Sequence, residues 1–208
     1  PQADDATFRP DLPPVALVKD DGQQLQAGEQ YAGRLAVNTW WPPIIVRERG
    51  DHSMWLRHLE LLIPTERDRW QVIYWLAAAA QNPGVKFQYM LLLQGVEGNG
   101  KTLLSRLAAK ALGERYVHWP SIDTLGRNFN AWMENRLLIC LEDIYIPNSE
   151  RHILERLKPM IAGGAALEIE GKGLDQRSAS VCCNFIANTN HKAGVPKSGG
   201  VDLVCSQA

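Results

Sequence analysis

The sequence predicts an α/β protein with a central parallel sheet flanked by helices, and three observations carry that prediction. An apolar run of strand length, Tyr89 to Gln94, leads into the glycine-rich octet GVEGNGKT, Gly95 to Thr102, and then into a helix-forming stretch from Leu103 to Leu112 closed by Gly113. A second unbroken apolar run, Leu137 to Leu141, ends in the acidic pair Glu142 and Asp143. A third, within Asn184 to Asn190, ends in amides and a hydroxyl. Apolar strands without alternation suit a sheet buried on both faces. Ligand sites in such sheets lie at the carboxyl ends of the strands, where these runs become polar.

Taken in chain order, residues 1–36 carry scattered prolines, glycines and glutamines with little periodicity and read as a linker or loosely packed lead-in. Residues 37–84 form a strand and helical lead-in. AVNTWWPPIIV reads as a strand entering a docking surface, with Trp40 and Trp41 as packing anchors. Glu66 to Gln81 is helical, with Trp70, Ile73, Tyr74 and Ala77 on one face and Pro83 and Gly84 ending it. The core is expected over 85–196, and 197–208 is an ill-defined tail. Within the core, Arg127 to Met133 is an amphipathic helical piece, its Phe129 and Trp132 expected in the core. Ser149 to Ile161 is a helix that Pro159 should kink or shorten. Leu167 and Ile169 alternate with Glu168 and Glu170 as a period-two strand. Gly171, Lys172 and Gly173 form a flexible tip, and Ser178 to Ala187 return as the partner strand.

The octet is a phosphate-site signature in the context that makes it specific, between a buried strand and a helix. Gly95, Gly98 and Gly100 let the backbone wrap around an anion with its N–H groups inward, and the helix N-terminus adds partial positive charge. Val96, Glu97, Asn99 and Leu103 complete the cradle. Lys101 reaches the outer phosphates, and Thr102 offers a hydroxyl to Mg²⁺. Of Glu142 and Asp143, one carboxylate suits the Mg²⁺ shell and the other suits a polarised water.

Composition adds limits. The chain has 208 residues and is 45% apolar, enough for one α/β core with an appendage. Its formal net charge of −1 gives no bulk attraction to nucleic acid, so any such binding requires a local basic patch. Cys140, Cys182, Cys183 and Cys205 lack metal-ligand spacing and read as thiols in a reducing compartment. His118 and His152 are isolated, whereas His191 follows the third strand and could lie near a nucleotide. No run approaches membrane-spanning length and no signal peptide opens the chain, which implies a cytoplasmic protein. The start at Pro1 suggests a fragment or processed product.

In order, GVEGNGKT, LLICLED and FIANTN resemble the Walker A, Walker B and C motifs of superfamily 3 helicases, a branch of the AAA+ ATPases. More narrowly, Val37 to Pro196 is similar to the ATPase part of phage and plasmid primase-helicase proteins. The resemblance implies an AAA+ core with a β-hairpin insertion and an N-terminal extension, and ATP and Mg²⁺ as ligands. It further implies Asn190 as the sensor residue and single-stranded DNA as a partner, gripped at the hairpin tip through Lys172. It implies self-assembly into a hexameric ring and an attached primase domain in the full-length protein, acting in DNA replication.

One departure qualifies this. The resemblance calls for an arginine after the sensor strand that reaches a neighbouring subunit, and the sequence has none after Arg177. Either that arginine lies outside these residues or an earlier one substitutes, and the expectation is a chain that binds ATP, hydrolyses it weakly and assembles poorly. Two other readings stand beside the motor: an ATP-gated interaction module, and a P-loop kinase acting on a small acceptor. The kinase has less need of Asn190 or of the Lys172 hairpin.

Overall fold

The computed structural model describes residues 5–43, 48–126, 130–145, 151–163, 166–170, 177–191 and 204–207. At its centre is a five-stranded sheet in which every pairing is parallel. Its strands are β4 (Leu91–Gln94), β5 (Val117–His118), β6 (Leu138–Leu141), β9 (Asn184–Thr189) and β10 (Val204–Gln207), in the order β10-β4-β9-β6-β5. All residues of β6 and β9 are buried, as strands covered on both faces must be. The predicted α/β architecture is thus present, with the three motif-bearing strands β4, β9 and β6 adjacent.

One face of the sheet is covered by α1 (Ser53–Leu62), α2 (Glu66–Gln81) and α3 (Lys101–Leu112). Leu59, Leu62, Val72, Trp75, Leu104 and Ala108 pack there with Leu91, Leu93, Leu138 and Ile186. Both ends of α2 fall where the sequence predicts, but its buried face does not. Val72, Trp75 and Ala79 point inward, while Trp70 and Tyr74 are 47% and 64% exposed and stack on each other at 5.6 Å. The helix is apolar nearly all round between Trp70 and Ala80, so periodicity permits either face. Trp75 decides it by meeting Phe87 edge-on at 5.5 Å.

The other face is covered by α4 (Ile122–Gly126), a 3₁₀ turn at Ala131–Met133, and α5 (Arg151–Ala162). Leu125, Met133, Leu157 and Ile161 pack there with Ile139, Leu141 and Phe185. Pro159 does not shorten α5, which runs three residues past it to Ala162. Met133 is fully buried and Trp132 packs against this core as expected, whereas Arg127 and Phe129 lie outside the described residues.

A two-stranded antiparallel unit, β7 (Ala166–Ile169) with β8 (Arg177–Ser180), forms the predicted hairpin. The return strand is shorter than the expected Ser178 to Ala187. Val181, Cys182 and Cys183 break it, after which β9 enters the central sheet. An exposed two-stranded leg and a strand buried on both faces require different surroundings, so one continuous strand cannot serve both. The tip with Lys172 lies outside the described residues.

Toward the N-terminus, where the sequence shows little periodicity, β1 (Asp5–Thr7), β2 (Leu17–Lys19) and β3 (Leu35–Asn38) form a small sheet in the order β1-β3-β2. Asn38 organises it. It is 2% exposed, accepts from the Arg9 N–H at 2.9 Å and donates to the carbonyls of Arg9 and Pro13, both at 2.9 Å. Trp40 is the packing anchor expected, buried with Phe8, Tyr116, Leu137 and Cys182. Trp41 is 52% exposed. In the tail, β10 adds an edge to β4, so these last residues contribute to the sheet.

Candidate functional site

The octet lies at the carboxyl end of β4 and opens α3. Gly98 and Gly100 take positive φ, +76° and +97°, a region costly for residues with a side chain. At Gly100 space is also lacking, because a Cβ there would overlap the His58 ring on α1. Among the described residues, no hydrogen bond uses the N–H groups of residues 96–102. Unpaired donors at a loop and a helix N-terminus make an anion site. Leu103 belongs to this turn through its backbone, its N–H bonding Gly100 O at 3.1 Å, while its side chain is 48% exposed.

Lys101 folds back into the loop. It is 6% exposed, and its Nζ donates to Gly95 O at 3.0 Å, Val96 O at 2.7 Å and Asn99 Oδ1 at 2.9 Å. Burial holds its ammonium below the ordinary lysine range, while Asp143, Glu142 and Glu97 act in the opposite sense.

Around this loop the parallel register assembles the rest. Leu141 pairs with Ala187, so Glu142, the first residue past β6, comes beside Asn188, which is still in β9 and paired with Leu93. Asn188, 2% exposed, donates from Nδ2 to Glu142 Oε1 at 2.7 Å and to Ser105 Oγ on α3 at 2.9 Å. Thr102 Oγ1 donates to the other carboxylate oxygen, Glu142 Oε2, at 2.6 Å. Asp143 turns away at φ +48°, and its Oδ1 accepts from Asn190 Nδ2 at 2.8 Å. The His191 ring lies tilted against Tyr145, centroids 4.5 Å apart, and its carbonyl accepts from Gln94 Nε2.

Lys101, Thr102, Glu142, Asp143, Asn188 and Asn190 therefore share one open cavity of about 410 Å³ with the tip of the loop. Of the predicted site residues, Glu97 to Thr102, Glu142, Asp143 and Asn190 line this cavity, Gly95, Val96 and Leu103 flank the loop outside its lining, and Lys172 lies outside the described residues. Asn188, not named as a site residue from the sequence, joins them through its bond to Glu142. Its sequence signal is the amide that parallel pairing sets beside Glu142.

The donor set fits a hard divalent cation: a hydroxyl and a carboxylate 2.6 Å apart beside an anion cradle. Among the described residues, no group of three His, Cys, Asp or Glu forms a separate metal centre. Such a cation would share its ligands with phosphate oxygens. No described helix is long and apolar enough to cross a membrane.

Fold and site together define an α/β protein of the phosphate-binding-loop kind. The family described as "Family of unknown function (DUF5906)" matches residues 93–202, more than half of the chain, and the chain belongs to that family. A search of the curated proteins finds no match. Among solved structures, the A-form apo structure of the NrS-1 C-terminal region is similar over 100% of this chain and 48% of its own, with TM-score 0.73 and 19% identity. Another apo structure of that region has TM-score 0.73 and 19% identity over 97% of this chain and 46% of its own. These likenesses show the fold, and the chain spans about half the length of the structures it matches. A ligand-bound JCV helicase matches 72% of the chain and 42% of its own at 15% identity and TM-score 0.44, a distance at which the likeness carries no weight.

Proposed function

We propose that this chain is a MgATP-binding motor domain of the superfamily 3 helicase kind, acting on single-stranded DNA in phage or plasmid replication. The observation that carries the nucleotide part is the convergence of Lys101, Thr102, Glu142 and Asn188 on one cavity beside the unpaired N–H groups of residues 96–102. In this reading the loop N–H groups hold the phosphates. Lys101 exchanges its loop carbonyls for the β- and γ-phosphate oxygens. Thr102 and Glu142 would hold Mg²⁺, which supplies charge neutralisation on the phosphates. Asn188 keeps the Glu142 carboxylate in one plane by holding its second oxygen. Asp143 and Asn190 place and polarise the attacking water.

The DNA part rests on the resemblance of the ordered motifs and on the hairpin β7–β8 between the second and third of them. DNA contact at Lys172, assembly into a hexameric ring, an attached primase domain and a cytoplasmic setting belong to the same proposal. The chain by itself is proposed to bind MgATP and to turn it over weakly.

Calorimetric titration with MgATP tests the core of the reading. The chain should bind, and Lys101→Ala should bind at least tenfold more weakly, a loss of about 1.4 kcal/mol or more for a charged phosphate contact. Absence of binding by the unaltered chain refutes the nucleotide site. In a longer chain, hydrolysis that single-stranded DNA does not stimulate refutes the motor.

A further inference from the structure

The hairpin β7–β8 packs on the core at both of its ends, with Ile169, the last residue of β7, and Val181, just past β8, buried with Leu141, Leu157 and Phe185. At the Ile169–Arg177 end of the ladder both of its legs are held by one short segment, residues 130–134. On the β7 leg, Asn130 Nδ2 donates to Glu168 O at 2.9 Å, and Asn130 Oδ1 accepts from the Glu170 N–H at 2.8 Å. The backbone N–H groups of Asn130 and Ala131 both reach Glu170 O, at 3.1 and 3.3 Å. A side-chain amide carries a donor and an acceptor side by side, as a peptide group does. Asn130 thereby pairs with the edge of β7 that β8 leaves open. On the other leg, Arg177 Nη2, at the first residue of β8, meets Glu134 Oε1 at 2.6 Å. Between the two grips Met133 is fully buried beside Ile139 and Leu141 of β6, the strand that ends in Glu142.

We infer that residues 130–134 form a bracket fixing the direction of the β7–β8 hairpin relative to the acidic strand, with Asn130 and Glu134 as positioning residues. The bracket is continuous with β6 through Arg136 and Leu137, and its anchor Met133 packs on β6 itself. A displacement at Glu142 therefore carries bracket and hairpin together, a contiguous route of packed and hydrogen-bonded groups. The grip on the hairpin stands on geometry alone. Its consequence for DNA rests on the proposed function.

Amide hydrogen exchange on the whole chain tests the grip. Asn130→Ala should speed exchange in 166–170 and 177–180 about tenfold, the factor expected for losing roughly 1.4 kcal/mol of hydrogen bonding, with β4 and β9 unchanged as folding controls. Glu134→Arg and Arg177→Glu should each loosen β8 about two- to fivefold, and the double exchange should restore it. Unchanged hairpin exchange in Asn130→Ala, or a charge-swapped double variant no tighter than the singles, overturns the bracket. A second measurement compares oligo(dT) affinity with MgATP and with MgADP. The difference between nucleotides should shrink in Asn130→Ala while MgATP affinity stays constant. If it persists although exchange has risen, the bracket does not transmit. If the unaltered chain binds no oligo(dT), the DNA reading fails, and exchange alone decides the grip.

Discussion

Replacing Asn188 by aspartate changes one NH₂ group into an oxygen, yet the structure assigns it a large and pH-dependent effect. The lost group donates to Glu142 Oε1 at 2.7 Å and to Ser105 Oγ at 2.9 Å, at a position only 2% exposed. In Asn188→Asp two carboxyl groups occupy that contact, and at such a distance both cannot be ionised. The pair therefore keeps one proton, which donates across the same contact and restores the bond. The cost falls on holding that proton when the solvent would remove it. An unfolded aspartate ionises near pH 3.9, and each further pH unit with the proton held costs about 1.4 kcal/mol. The penalty is thus about 1 kcal/mol at pH 4.5 and at most about 4 kcal/mol at pH 7. The sign follows from a raised folded-state pKa: stability is retained below the unfolded value and lost as pH rises. For a chain of this size the neutral-pH loss corresponds to a melting point lower by on the order of 10 °C. Urea unfolding of both chains between pH 4.5 and 8 measures it. A variant as stable as the parent at pH 7, or a loss independent of pH, refutes the contact between Asn188 and Glu142.

Gly100→Ala should destabilise the chain by about 2 kcal/mol or more, because the residue sits at φ +97° and a Cβ there meets His58, and should weaken MgATP binding; thermal melting and calorimetry check both. Thr102→Val removes the hydroxyl that meets Glu142 and should lower the Mg²⁺ dependence of nucleotide affinity, read by titrating ATP with and without the cation. Burial pushes the thiols of Cys182 and Cys183 up to about 11 and about 12, and that of Cys140 upward as well. Unfolded thiols ionise near pH 8.5, so stability is intact below that pH and falls above it, by about 1.4 kcal/mol per thiol at pH 9.5. Cys140→Ala with Cys183→Ala should flatten this alkaline loss, and identical slopes in urea unfolding at pH 7.5 and 9.5 would contradict it.

Much of this molecule is legible in the sequence because its signals are local. The buried runs at Leu91 and Leu138, the octet between strand and helix, and both ends of α2 follow from period, length and punctuation. Other features are nonlocal. The inward face of α2 depends on Trp75 finding Phe87, since its own apolar pattern does not choose. The split between β8 and β9 depends on which residues the central sheet can cover.

The sequence by itself determines the class of fold and the chemistry at the ends of its strands, because a glycine-rich loop, a lysine, a hydroxyl and an acidic pair each follow a recognisable element. Tertiary structure decides how these groups are joined. Parallel register brings Asn188 beside Glu142, positive φ and the nearness of His58 require glycine at position 100, and residues 130–134 meet both legs of a hairpin some forty residues later in the chain. These relations involve residues distant in sequence, and pairing across the folded sheet is what makes them neighbours.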